Sequence, residues 1–175
     1  SFLHSETGIF AVNIHILDIG LDQTFINGTH TQYYTIDEEI ASSIYKPRQA
    51  FAHKGTYGHV LMVGGSYGKI GAISLSSKAA LHAGAGLVTA LIPQCGYDAL
   101  QASVPEVMCR TNGERQIEKI LDWEKMDAIG MGPGMDTGSN TVRAFTDFID
   151  ACKQPVVIDA DALNILATQN ELLAK

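Results

Sequence analysis

The sequence predicts an α/β fold with a mainly parallel sheet covered on both faces. Three observations carry this prediction. From Gly58 onward, short apolar runs alternate with helical stretches. The runs, such as "HVLMVGG" and "PVVIDA", are almost continuously apolar, as strands buried on both faces must be. Several of them end in glycine or aspartate, residue types that suit strand-end turns.

The elements follow in order. Residues 9–19, "IFAVNIHILDI", alternate in part and are rich in β-branched side chains, so they read as a strand. An irregular stretch with glycine and asparagine follows. "TIDEEIASSIY" reads as a short helix, with Thr35 as N-cap and Glu38 at the capping-box spacing. Strands are then expected near 59–64, 87–92, 127–131 and 155–159, with "EVMCR" as a further short one. Helices are expected in "GAISLSSKAALHAGA", "GYDALQAS", "ERQIEKILD", "TVRAFTDFIDACK" and "DALNILATQNELLAK". The first strand stands apart from this rhythm, which places a boundary near residue 30. Only four or five strands follow residue 58, and the chain stops within a helical pattern, so the sequence reads as part of a longer protein.

Composition narrows the function. The 175 residues are 46% hydrophobic and 18% charged, with a net charge of −7. An acidic chain of this kind offers no phosphate-neutralising surface, which argues against nucleic acid and anionic membranes as partners. No apolar run has the length of a membrane span, and no signal peptide is visible. Cys95, Cys109 and Cys152 are widely spaced and form no CxxC pair; they read as reduced, buried thiols of a cytoplasmic protein.

The strand ends hold the candidate chemistry. "GGSYGKIGA" follows an apolar strand and opens a helix. It is not a Walker loop, because Val63 stands at the required first glycine and Ile70 follows the lysine. "GAGLVT" begins like a dinucleotide fingerprint but follows a helix and precedes a strand, the reverse of what a pyrophosphate site needs. Gly84 and Gly86 fit a helix C-terminus instead. Glycines allow a ligand close to the backbone, yet the loop alone fits a tight strand-to-helix turn at least as well. "GMGPGMD" repeats the arrangement with Gly132 and Gly134, and Pro133 lacks the amide hydrogen of a full phosphate nest. In "VVIDADALN", Asp159 and Asp161 lie two apart and share a side while the chain is extended; Asp161 can also cap the next helix. His53 and His59 match no zinc spacing. Lys54 is either a solvated charge or a contact to a phosphate.

Taken in order, "HKGTYGHVLMVGGSYGKIGA", "AALHAGAGLVT", "GMGPGMD" and "VVIDADALN" resemble the ADP- or ATP-dependent NAD(P)H-hydrate dehydratases. The resemblance runs from about residue 35 to the end of the chain. It implies a ribokinase-like three-layer α/β/α fold, incomplete at the C-terminus. "NIHILDIGL" resembles the last strand of the Rossmann-like epimerase domain that precedes the dehydratase in fused proteins. Residues 1–30 would then be an epimerase remnant and linker, and residues 31–175 the N-terminal part of the dehydratase domain. His82 stands where relatives often carry arginine.

The resemblance further implies a lyase that repairs hydrated NADH or NADPH, in a parent that is also an isomerase. ATP or ADP, with Mg2+, would phosphorylate the nicotinamide hydrate, and elimination of phosphate would restore the double bond. Ala72, Gly132 and Gly134 would pack against the hydrated cofactor, with Asp159, Asp161 and Asn164 lining the crevice. Lys54 stays open between a solvated charge and a contact to a phosphate. No metal ligand and no catalytic residue falls within the chain, since the catalytic aspartate and anion hole are expected beyond Lys175. A homo-oligomer is implied as well. The alternatives are a vitamin or sugar kinase of the same fold and a non-catalytic dinucleotide-binding fragment.

Overall fold

The computed structural model describes residues 5–169, 171 and 172. The chain divides into two compact units, Ser1–Pro47 and Arg48–Lys175.

The first unit contains α1 (Ser5–Gly8), α2 (Gln23–Gly28) and α3 (Glu38–Ile44). Residues 9–19 form no strand, contrary to the sequence reading, and Val12 and Ile16 are each 96% exposed. A strand needs a neighbour to take up its backbone groups, and no strand lies among the described residues of this unit. α3 is capped by Asp37 rather than by Thr35: the Ile40 N–H donates to Asp37 Oδ1 at 2.9 Å. Glu38 is then the first helical residue, where its charge complements the helix dipole.

The second unit is the α/β body. Its strands are β1 (His59–Val63), β2 (Leu87–Ile92), β3 (Met108–Thr111), β4 (Ala128–Met131) and β5 (Val156–Ile158). Its helices are α4 (Ile70–His82), α5 (Tyr97–Ser103), α6 (Ser139–Ala151) and α7 (Ala160–Thr168). The five strands pair in parallel, in the order β3-β2-β1-β4-β5. Successive side chains of a strand point to opposite faces, and both faces of β1 are apolar. Leu61 and Val63 join Ile129, Met131, Phe145 and Ile165 in one core, under α6 and α7. Val60 and Met62 pack with Val88, Ile92, Ile73 and Leu100 in the other, under α4 and α5. Helices thus cover both faces, as expected. Val157 on β5 is the exception, exposed near the sheet edge.

One predicted helix does not form. Residues 114–122 are irregular, although Ile117 and Ile120 are buried three positions apart. The segment's backbone groups bond to distant parts of the chain instead of to each other. Tyr67 N–H donates to the Arg115 carbonyl at 2.8 Å, Cys95 N–H to that of Glu114 at 3.0 Å, and Thr141 Oγ1 to that of Ile117 at 3.3 Å. The two isoleucines are anchors of an extended crossing, and their spacing is not a helical face.

Candidate functional site

The strand order reverses between β1 and β4. The chain winds from β1 to β2 and β3 on one side, then crosses to β4 and β5 on the other. At such a switch point the loops leaving the two strands diverge and open a crevice beyond their carboxyl ends. The two loops here are 64–69 and 132–136. They are pinned together before they part: Gly132 N–H donates to the Val63 carbonyl at 3.0 Å, Gly65 N–H to Pro133 at 2.9 Å, and Ser66 Oγ to the Gly134 carbonyl at 2.8 Å.

The glycines of "GPGMD" have local reasons to be glycines. Gly132 has φ +122°, and a Cβ there would run into the Asp159 carbonyl, where β5 ends. Close packing of the β4 loop on β5 therefore accounts for Gly132. Gly134, at φ +64°, faces α4: a Cβ would lie 2.7 Å from the Lys69 carbonyl and 3.2 Å from Ala72 Cβ. Gly134 and Ala72 thus lie side by side where the β4 loop meets the start of α4, and Ala72 is exposed.

A charged network closes the third side. Asp161 does not cap α7. The N-cap is Asp159, which makes no side-chain cap bond. Asp161 lies in the first turn, and its Oδ2 accepts the Asp136 N–H at 2.9 Å and faces Lys69 Nζ at 3.5 Å. Its Oδ1 accepts from Asn164 Nδ2 at 3.4 Å. Lys69 also lies 3.8 Å from Asp136. These ion pairs are partly exposed, so each contributes little alone. The backbone bond to Asp136 and the reduced exposure of Asp161, 21% at its side chain, make it the centre of the group. Two non-glycine residues with positive φ flank this network, Asp136 at +70° and Ala160 at +49°. Both conformations are costly for L-residues.

The structure thus gathers Ala72, Gly132, Gly134, Asp159, Asp161 and Asn164 at the carboxyl end of the sheet. Lys54 is not with them. It opens a 3₁₀ turn that precedes β1, and its carbonyl packs against Gly86 at the start of β2. That is the amino end of the sheet, so the geometry does not support a phosphate contact in this crevice. His59 serves the same end, its Nε2 2.7 Å from Thr89 Oγ1. Gly84, at φ +113°, ends α4 as expected, while Gly86 answers to the Lys54 carbonyl.

Sequence reasoning missed four residues at the crevice: Lys69, Asp136, Tyr67 and Arg115. Lys69, Asp136 and Tyr67 lay inside the quoted motifs, and only their partners were hidden. Arg115 lay in the segment read as a helix. Its guanidinium sits 3.6 Å from the centre of the Tyr67 ring, beside a cavity of about 550 Å3 that reaches Ser66 and Asp136.

The loop after β1 lacks the Walker spacing, and its lysine, Lys69, faces Asp136 and Asp161. Among the described residues, no group of three or more His, Cys, Asp or Glu side chains could hold a metal ion. No helix among them is long and apolar enough to cross a membrane.

Known proteins resemble the chain in sequence and fold. The family model described as NAD(P)H-hydrate dehydratase matches residues 60–175. A bifunctional NAD(P)H-hydrate repair enzyme from Moorella thermoacetica is 35% identical over 170 residues, 91% of this chain and 32% of that protein. The crystal structure of an ADP/ATP-dependent NAD(P)H-hydrate dehydratase from Bacillus subtilis, co-crystallized with ATP/Mg2+, aligns with TM-score 0.60 at 28% identity, over 73% of this chain and 46% of that one. A ribokinase-like superfamily protein from Enterococcus faecalis shares the fold, with TM-score 0.66 at 22% identity over 81% of this chain and 52% of its own. The chain thus spans about a third of the bifunctional relative and under half of the solved dehydratase. With a parallel sheet in the order β3-β2-β1-β4-β5, a crevice at its switch point and a family match that takes in every strand-end loop of that crevice, the chain belongs to the NAD(P)H-hydrate dehydratase family.

Proposed function

We propose that this chain is the substrate side of an enzyme that dehydrates hydrated NADH or NADPH at the expense of ADP or ATP. The observation that carries the reading is the convergence of three strand-end loops on one crevice, walled by Ala72 and Gly134 and closed by Asp161 with its partners. The phosphoryl donor would turn the ring hydroxyl into a leaving group. The chain's own residues have a different task. Bare backbone and Ala72 offer a flat apolar wall for a planar nicotinamide, and Asp161 with Asn164 offers polar anchors for its ribose or carboxamide. A wall so placed keeps water from one face of the ring and fixes its orientation.

Donor binding and the proton-accepting aspartate belong, on this reading, to residues beyond Lys175. The alignment of 91% of the chain with a bifunctional repair enzyme supports residues 1–30 as the tail of an epimerase domain. We infer a cytoplasmic homo-oligomer, since the substrate arises where NADH is abundant and the family resemblance carries oligomerisation with it.

The test is NADH formation from NADH hydrate with ADP or ATP and Mg2+. The full native polypeptide carrying these residues should turn over, and residues 1–175 alone should not. A full polypeptide that phosphorylates a sugar or vitamin but leaves NADH hydrate unchanged would instead establish the kinase alternative.

A further inference from the structure

The crossing segment after β3 delivers one cation to the mouth of the crevice. Tyr67 is held in place from two directions: its N–H donates to the Arg115 carbonyl at 2.8 Å, and the Arg115 guanidinium lies over its ring at 3.6 Å. Ser66, one residue earlier, is almost fully buried and bonded to Gly134, so the base of the loop is fixed. Tyr67 itself is 63% exposed. A large aromatic side chain left exposed on a pinned loop, stacked with arginine, is pre-organised to receive a flat ligand. The cavity beside it, about 550 Å3, is of nucleoside size.

The remaining charges around that cavity are Glu114, Glu118 and Asp136. Carboxylates accept hydrogen bonds from ribose hydroxyls and repel phosphate. Lys69 offsets Asp136. That leaves Glu114 and Glu118 against Arg115, a net negative rim. A 2′-phosphate would add a charge of about −1.5 to −2 to the ligand.

We propose that Tyr67 and Arg115 form the specificity-determining platform of this site, on which a planar ring of the dinucleotide stacks, and that the acidic rim selects NADH hydrate over NADPH hydrate. The proposal rests on the reading of the crevice as a hydrated-dinucleotide site. Because the rim is solvated and screened, the preference is modest, about fivefold. Loss of the stacking ring costs more, about tenfold in affinity.

The experiment measures affinities of NADH hydrate and NADPH hydrate for the full native polypeptide and its Tyr67→Ala, Arg115→Ala and Glu114→Gln/Glu118→Gln variants, each shown to melt cooperatively. Tyr67→Ala should weaken both ligands about tenfold. The double glutamine variant should raise the NADPH-hydrate to NADH-hydrate affinity ratio about fivefold. If Tyr67→Ala does not fold, Arg115→Ala decides the platform in its place. A folded platform variant with parental affinity for both hydrates overturns the platform. A parent that binds NADPH hydrate at least as tightly as NADH hydrate overturns the selection and makes Arg115 a phosphate ligand. A parent that binds neither hydrate overturns the functional reading itself.

Discussion

The backbone N–H of Asp136 donates to Oδ2 of Asp161 at 2.9 Å, joining the loop after β4 to the first turn of the helix after β5. A charge-assisted bond from a backbone donor is stronger than a neutral one. Asp161→Ala should therefore destabilise the fold by about 1–3 kcal/mol, read from denaturant midpoints at unchanged slope. Lys69→Met should cost less than about 1 kcal/mol, because its pairs are half-exposed. Equal losses for the two variants would show that the lysine, and not the backbone bond, holds the loops together.

Gly132→Val should fail as a folded protein before it fails as a binder. The new side chain meets the Asp159 carbonyl, and φ is +122°. The expected loss is at least about 3 kcal/mol, seen as a fall in the melting temperature without ligand. The family resemblance has this glycine pack against the hydrated cofactor, a role whose loss would fall selectively on dinucleotide affinity. A Gly132→Val protein with a parental melt and that selective loss would restore the ligand role.

Ala160→Gly should be tolerated. Ala160 holds φ +49° between the two aspartates, a conformation costing about 1–2 kcal/mol for an L-residue. Glycine removes that strain but adds chain entropy to the unfolded state, so the net change should stay within about 1 kcal/mol of zero. A larger loss would mean that the alanine methyl makes packing contacts that outweigh the strain.

The fold was legible because its signals are local. β1 shows its burial in the run "HVLMV", whose Leu61 and Val63 face one core and Val60 and Met62 the other. The crevice was legible in part, since glycines and aspartates at strand ends mark where loops turn. What stayed hidden depends on partners distant in sequence. Asp161 looked like a cap, and only the arrival of Asp136 and Lys69 shows why its carboxylate is engaged elsewhere. Ile117 and Ile120 looked like a helical face, while the donors that unwind the segment come from Tyr67, Cys95 and Thr141. Lys54 sat beside a motif in the sequence, but its place at the amino end of β1 follows from strand direction.

Burial pushes the Cys109 thiol up to about 11 from 9.0. The folded state therefore favours the neutral thiol, and any stability gained from it is present below about pH 9 and lost as pH rises toward 11. Cys95 is exposed. Iodoacetamide at pH 8 should modify Cys95 well before Cys109, as peptide mass mapping over time would show. Faster labelling at Cys109 would mean that β3, at the sheet edge, opens readily.

The central claim is that the crevice between the β1 and β4 loops holds the hydrated dinucleotide while the phosphoryl donor binds elsewhere. Ala72 tests it most directly, being exposed in α4 and facing Gly134. Ala72→Leu adds bulk to the crevice wall with little expected cost to the helix. The decisive measurement is the affinity of the full native polypeptide, parent and Ala72→Leu, for NADH hydrate and for ATP. Ala72→Leu should weaken NADH hydrate by about tenfold or more, with ATP affinity unchanged within about twofold. Parental affinity for NADH hydrate, or a loss confined to ATP, would contradict it.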